Sequence, residues 1–444
     1  MNLHDVRWLR TGMLILFAAS TVWSQQAKLK EILVVAVKES DQNPAEAERQ
    51  YKSALHEMET GSFEIERSIV FGLLTNLYCA QERYAEAADS LERSTVTSYM
   101  LGRTGRLNVL ESKSAELGLL TEREKAVFAQ ARKGDESFLN VSIITCLNQL
   151  ASRNAKAAQF LVGSMYEFGS GGIKQDLDAA IRSYRSSSEQ GFVLAQIRLG
   201  DVYFGGKGVA KDYVEARKWY EKASTQLQPY AQSYAQSQLG WLYDNGLGVQ
   251  QDYDRAYKLY RVAAEQGDPS AQVRLGWLLM QGLGVRKDPV EGVSWYQKAA
   301  LQGNREGQNN LGTAYLKGVG VKQDDFEAAT WYRRAAEQGL ADGQYNLGHV
   351  YHQKQDYKEA IRLYEMSVEQ GNKDAMVDLG WMCEHGEGAN KNIIKATALY
   401  FLASERGDEG ARMRMNNMLR NMSSSEAQEV RQWIDAWKAK HKNL

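Results

Sequence analysis

The sequence predicts an all-α repeat protein, and three observations carry that reading. Only 4 of the 444 residues are Pro, while Ala, Glu, Gln, Leu, Tyr and Arg are abundant, which is the composition of a helical chain. From about residue 155 onward the sequence repeats itself, with an apolar-Gly step recurring near every 36 residues, the mark of a repeat array. Within each unit the caps, stops and apolar spacing suit two antiparallel helices.

Composition bounds the function. The chain carries 54 Lys+Arg against 55 Asp+Glu, a formal net charge of −1, which argues against a nucleic-acid surface spread over its length. With 43% apolar and 10% aromatic residues it can bury a core, which argues against wholesale disorder.

At the N-terminus, Arg7 and Arg10 precede the apolar run Met13–Ala19, followed by small residues. This is the layout of a secretory signal peptide. Val22 and Ser24 fit the −3 and −1 positions, so residues 1–24 are expected to be removed and the mature chain to begin at Gln25. Cleavage after Ser20 also fits, and an uncleaved anchor is the alternative. The run is short for a membrane span, and no later stretch could supply one. The expected destination is the periplasm, or the exterior. Cys79, Cys146 and Cys383 allow at most one intramolecular disulfide. Three buried thiols is the preferred reading, and Cys79 with Cys146 the pair if one forms.

The repeat is anchored on Gly163, Gly200, Gly240, Gly276, Gly312, Gly348 and Gly380, at steps of 37, 40, 36, 36, 36 and 32 residues. The clearest copies are AQSQLGWLYDNGLGVQQDYDRAYKLYRVAAEQG (235–267) and GQNNLGTAYLKGVGVKQDDFEAATWYRRAAEQG (307–339). Helix A carries Leu-Gly-x-x-Tyr, where the missing Cβ lets a neighbour approach. The Gly-x-Gly-Val turn suits backbone with φ > 0. Asp176, Asp212, Asp252, Asp288, Asp324, Asp356 and Asn392 then stand where helix B needs an N-cap. Four residues further comes Ala or Gly, and four beyond that a Tyr in all seven units, on one helix face. The AEQG-type ending is a helix stop. The longer step after Gly200 is assigned to an insertion around Leu227–Tyr230, behind the second helix, and the short last step to a missing part of the turn between Tyr351 and Asp356.

This combination resembles the Sel-like repeat family across residues 155–411. The resemblance implies a right-handed α/α solenoid of the tetratricopeptide-like kind, with a concave face lined mainly by the A helices, and a binding or scaffolding role. Repeat 6, LGHVYHQKQDYKEAIRLYEMS, is closer to a tetratricopeptide unit. Residues 28–150 read as a helical extension, with a tetratricopeptide-like hairpin over 76–94 and loops over 95–122. At the other end Ser423 with Glu426 forms a capping box, opening a helix with Ala427, Val430, Ile434 and Trp437 on one face. The region 412–444 is expected to seal the last repeat.

No nucleophile elbow, metalloprotease or phosphate-loop motif occurs, so no enzyme activity and no cofactor are expected. His349 and His352, at i, i+3, could form the edge of a metal site but lack a third ligand nearby. The stripe singled out for binding lies two before and one after each anchor Gly. It reads Arg198/Asp201, Gln238/Trp241, Arg274/Trp277, Asn310/Thr313, Asn346/His349 and Asp378/Trp381, positions that the packing pattern leaves open. Trp and Arg are enriched at binding hot spots; the competing reading packs the indoles between A helices as core.

The sequence therefore predicts a non-enzymatic, exported scaffold. It would hold a protein or peptide, and no nucleic acid, in a groove lined by Arg198, Gln238, Trp241, Arg274, Trp277, Asn310, Asn346, His349 and Trp381. The partner is expected to be an envelope or secreted protein. The resemblance offers two alternatives: an immunity protein against a secreted toxin, and a protein binding or hydrolysing cell-wall peptides or β-lactams. The second is disfavoured because its disulfide-rich relatives pair Cys within repeats, and here only Cys383 lies in one.

Overall fold

A computed structural model describes residues 43–58, 81–100, 141–169, 173–226 and 229–441, with isolated helical positions at 36, 71, 74, 75 and 78. The segment 1–24, the Cys79 thiol and the Cys146 side chain lie outside the described residues. Among those described there are no strands, and no helix is long and apolar enough to cross a membrane. The chain divides into two units, 1–235 and 236–444.

The first unit contains α1 (Pro44–Glu57), α2 (Tyr84–Met100), α3 (Val141–Ser152), α4 (Lys156–Phe168), α5 (Leu177–Glu189), α6 (Val193–Gly205) and α7 (Tyr213–Ser224). From α3 to α7 each helix packs on the next, and α2 also packs on α4. The loop expected over 95–122 is corrected at its start. Residues 95–100 continue α2, the β-branched Thr95, Val96 and Thr97 being carried by a helix already nucleated upstream.

α8 (Pro229–Asn245) crosses the boundary between the units. The second unit continues with α9 (Tyr253–Glu265), α10 (Pro269–Gln281), α11 (Pro289–Leu301), α12 (Arg305–Lys317), α13 (Asp325–Glu337), α14 (Ala341–Gln353), α15 (Tyr357–Val368), α16 (Lys373–His385), α17 (Ile393–Glu405), α18 (Glu409–Arg420) and α19 (Ser424–Lys440). From α9 to α18 each helix packs against the next, and α19 packs on α17. This is an all-α solenoid of stacked helix pairs. The insertion read behind helix B of repeat 2 goes largely into α8, which at 17 residues is four longer than the 13-residue α10.

The local chemistry explains the repetition. Asp176, Asp212, Asp252, Asp288, Asp324, Asp356 and Asn392 each accept a hydrogen bond from a backbone N–H in the first turn of the next B helix. Each such cap contributes about 1 kcal/mol. The anchor Gly and the recurrent Tyr form one contact. A Cβ on Gly240 would stand 2.8 Å from the Tyr260 ring, and one on Gly200 only 2.4 Å from Tyr220. The seven Tyr are buried, so each ring fills the notch that its own A helix leaves open.

The Gly-x-Gly turn joins one repeat to the one before. Gly246 and Gly248 have φ of 67° and 65°. A Cβ on Gly284 would lie 2.2 Å from the carbonyl carbon of Tyr253, and one on Gly320 the same distance from the carbonyl oxygen of Pro289. The turn is thus seated on the first residues of the preceding B helix. At the C-terminus the Ser423–Glu426 capping box is present, and Val430, Ile434 and Trp437 are buried against residues of α17 such as Leu399 and Leu402. The stretch expected to be a single terminal helix is two: α18 ends at Arg420, and both it, through Ala411, Met415 and Met418, and α19 lay apolar faces on the last repeat.

Candidate interaction surface

In the first unit, Arg198 is committed to its own fold. Its guanidinium pairs with Glu167, Nε donating to Oε2 at 2.9 Å, and Lys207 reaches the same carboxylate at 2.8 Å. The Tyr184 hydroxyl donates to it as well, at 2.8 Å. Burial pushes Glu167 upward, but Arg198, Lys207 and Tyr184 outweigh it and hold the carboxyl below its ordinary value. Asp201 accepts from the hydroxyls of Tyr220 and Tyr234, at 2.8 and 3.0 Å, and burial raises its pKa. Arg198 is therefore a core ion-pair member, which corrects the expectation that its position is left open by packing.

In the second unit, Gln238, Trp241 and Arg274 come together. They line an open cleft of about 290 Å³ between α8 and α10, with Val273 beside them and Asn304 and Glu306 at the rim. Tyr260 lines it too, its hydroxyl donating to Asp244 at 3.4 Å. Asp244 is buried, and that burial raises its pKa against the opposing effect of Arg274. Arg274 is 45% exposed, and its contact with Asp244 is 4.0 Å long.

The remaining stripe positions are half-buried and mostly engaged. Thr313 accepts from the Tyr332 hydroxyl at 3.1 Å. Asn346 donates to Oδ1 of Asn309 at 2.8 Å, and Asp378 accepts from Tyr345 at 3.2 Å. Asn310 is half-buried. His349 lies 6.5 Å from the Tyr345 ring. Trp241 and Trp277 pack against the cluster containing Tyr260 and Leu275, and Trp381 stacks on His385 with centroids 4.3 Å apart. Each of these indoles is thus half-buried, with part of it packed on the core and part exposed.

His352 Nε2 lies 2.8 Å from Glu387 Oε2, which ties the end of α14 to the turn after α16. Among the described residues no three His, Cys, Asp or Glu side chains are grouped to hold a metal. The Cys383 thiol is half-buried, and burial raises its pKa. Sequence reasoning missed Val273, Asn304 and Glu306 of the cleft, and Asp244 behind Tyr260 and Arg274. They do not share one repeat position, so periodicity gave no signal. It also missed the buried Gln272, Gln308 and Gln344, whose signal was present: Gln stands four residues before the anchor Gly in successive units.

The Sel1 repeat pattern matches residues 156–192, 193–226, 233–268, 269–304, 305–340 and 373–408, and a tetratricopeptide repeat matches 345–376, the unit that reads as tetratricopeptide-like in sequence. A protective antigen of uropathogenic Escherichia coli strains, described as displaying an SLR fold, is 23% identical over 94% of each chain, with a TM-score of 0.57. A Sel1 repeat protein from Oxalobacter formigenes is 31% identical over 56% of this chain and 97% of its own, with a TM-score of 0.48. An immunity protein from Pseudomonas aeruginosa is 22% identical over 48% and 81%, with a TM-score of 0.35. No curated protein matches the chain. Proteins built of such repeats are generally non-catalytic scaffolds that bind protein partners, and on the repeats matched between residues 156 and 408 the chain belongs to the Sel1 repeat family.

Proposed function

We propose that this chain is an exported, non-catalytic scaffold that holds a protein or peptide on the A-helix face of its second unit. The observation that carries the reading is the cleft where Trp241 and Arg274 meet. It pairs the two residue types most enriched at binding hot spots with a concave site, the shape a protruding partner group needs. Gln238, Trp277, Asn310, Asn346, His349 and Trp381 extend the same face, whereas Arg198 leaves the list because Glu167 consumes it. Arg7, Arg10 and the run Met13–Ala19 support export, and an envelope or secreted protein as the partner.

Affinity capture tests the surface. Chain 25–444 is immobilised, and envelope extract is passed over it and over a Gln238→Arg/Asn310→Arg variant that adds bulk and charge to the face. Trp→Ala variants are a poor control, because both indoles also pack on the core. One dominant protein held by the parent and lost by the variant, at unchanged helicity, is the expected result. Equal capture by the variant overturns the surface. N-terminal sequencing of the protein from the periplasmic fraction tests export: a start at Gln25 is expected, and an intact Met1 start confined to the cytoplasm overturns it.

A further inference from the structure

We propose that the cleft between Trp241 and Arg274 is a carboxylate anchor. It takes one carboxylate of an extended partner segment on Arg274 and lays the adjoining apolar side chain against Trp241. The inference rests on the scaffold reading above and names the chemistry of its central contact.

The argument begins with the guanidinium. Arg274 offers five N–H donors in a planar fork. Among the described residues its one ionic contact is Asp244, at 4.0 Å, too long for a hydrogen bond. Asp244 is meanwhile turned to the Tyr260 hydroxyl. The fork is half in water and lines a concave site, so an incoming carboxylate can meet it in bidentate fashion.

The other walls choose among anions. Glu306 lies at the rim and Asp244 behind the floor, and no second cation lines the cleft. Beside these two acidic groups a phosphate dianion is disfavoured about twice as strongly as a carboxylate monoanion that meets the same guanidinium. Gln238 and Asn304 supply amides that can pair with a peptide backbone, and Val273 with Trp241 supplies apolar surface. At about 290 Å³ the cleft lies at the small end of ligand pockets, a size for one residue rather than a cofactor. The carboxylate can come from a C-terminus or from Asp or Glu, which share this chemistry.

The test uses the full mature chain with its Trp residues replaced by 5-fluorotryptophan. Fluorine NMR reads the Trp241 signal, assigned by its loss in Trp241→Phe. The probes are acetyl-Gly-Leu with a free C-terminus, acetyl-Gly-Leu amide, acetyl-Leu-Glu amide and inorganic phosphate. The expected result is a saturable shift of the Trp241 signal by at least one carboxylate probe and none by acetyl-Gly-Leu amide. The probe that acts distinguishes a terminal from a side-chain carboxylate. Arg274→Gln is expected to weaken binding by roughly tenfold or more, with partial retention in Arg274→Lys. An equal response to the uncharged amide, stronger binding of phosphate, wild-type binding by Arg274→Gln, or no response to any carboxylate probe would each overturn the proposal. Silence of the probes alongside partner loss in Gln238→Arg/Asn310→Arg would remove only this anchor and leave the scaffold standing.

Discussion

Gln302 donates from Nε2 to Oε1 of Gln272 at 2.8 Å, across the two helices of one repeat. Gln272 in turn donates to the carbonyl oxygen of Ala264, at the end of the preceding B helix, at 3.1 Å. The relay recurs one unit on as Gln338 to Gln308 to Ala300, and again as Gln370 to Gln344 to Ala336. Each relay adds a side-chain donor from the next repeat to a carbonyl near a helix end, which also accepts the backbone N–H of Gly267, Gly303 or Gly339. The inner amide is buried and the outer one exposed.

Asymmetric costs follow from that difference in burial. Gln272→Leu is expected to destabilise the second unit by about 1 kcal/mol, because the buried amide's hydrogen bonds to Ala264 and Gln302 are lost. Gln302→Ala is expected to cost under about 0.5 kcal/mol, since water replaces it. Urea denaturation followed by circular dichroism would measure both. Equal costs would show that the relay is not set by burial.

The Gly–Tyr notch makes a graded prediction. Gly240→Ala gains about 1 kcal/mol of helix propensity, but its methyl would meet the Tyr260 ring at 2.8 Å, and overpacking costs about 1–3 kcal/mol. Gly200→Ala meets Tyr220 at 2.4 Å and is expected to be the more destabilising of the two. Thermal melts of both variants check the order, and Tyr220→Leu should partly rescue Gly200→Ala.

Two buried carboxylates should respond to pH with opposite signs. Glu167 is held below its ordinary value, so its stabilisation is present above that value and lost as pH falls through the lower folded pKa. Glu167→Gln is therefore expected to destabilise the first unit at pH 7, by about 3–5 kcal/mol for a broken buried pair, and by much less in acid. Asp244 is held above its ordinary value. Its contribution is fully present in acid and lost as pH rises through the folded pKa, so Asp244→Asn is expected to raise the melting temperature at pH 7 and not at pH 3. Melting curves of the two variants across that range decide it; shifts of the same sign would refute the assignment.

How much of this was legible beforehand differs between fold and site. The caps at Asp252 and Asp288 and the notch between Gly240 and Tyr260 could be read because identical side chains recur at fixed spacing, and packing demands that repetition. The cleft could be read only in part. Gln238, Trp241 and Arg274 share the recurrent stripe, but Val273, Asn304 and Glu306 reach it from different repeat positions. Arg198 misled for the converse reason. It occupies the same repeat position as Arg274, yet the local accident of Glu167, itself four residues past Gly163, turns it inward. Periodicity reports what every unit does, and a binding site is where one unit differs.

The terminal helix offers a further check. Trp437 is buried against the last repeat, with the Arg406 guanidinium 5.3 Å from its ring centre. Trp437→Ala is expected to cost about 3–5 kcal/mol, and hydrogen exchange should show α16 and α17 opening before α10 and α11. Uniform protection across the unit would contradict it.

The seating of each Gly-x-Gly turn on the preceding B helix carries a consequence for length. Gly284 rests on Tyr253, and Gly320 rests on Pro289 through the same backbone approach, so the joint is written in main-chain atoms and is nearly indifferent to the side chains it joins. Excising residues 269–304 would bring the turn of Gly320 onto Tyr253 with the joint unchanged in kind. A gene encoding such a chain can gain or drop 36 codons at a time and still specify a closed stack. The footprint offered to a partner can therefore lengthen or shorten in whole units, while each unit keeps its own machinery for folding.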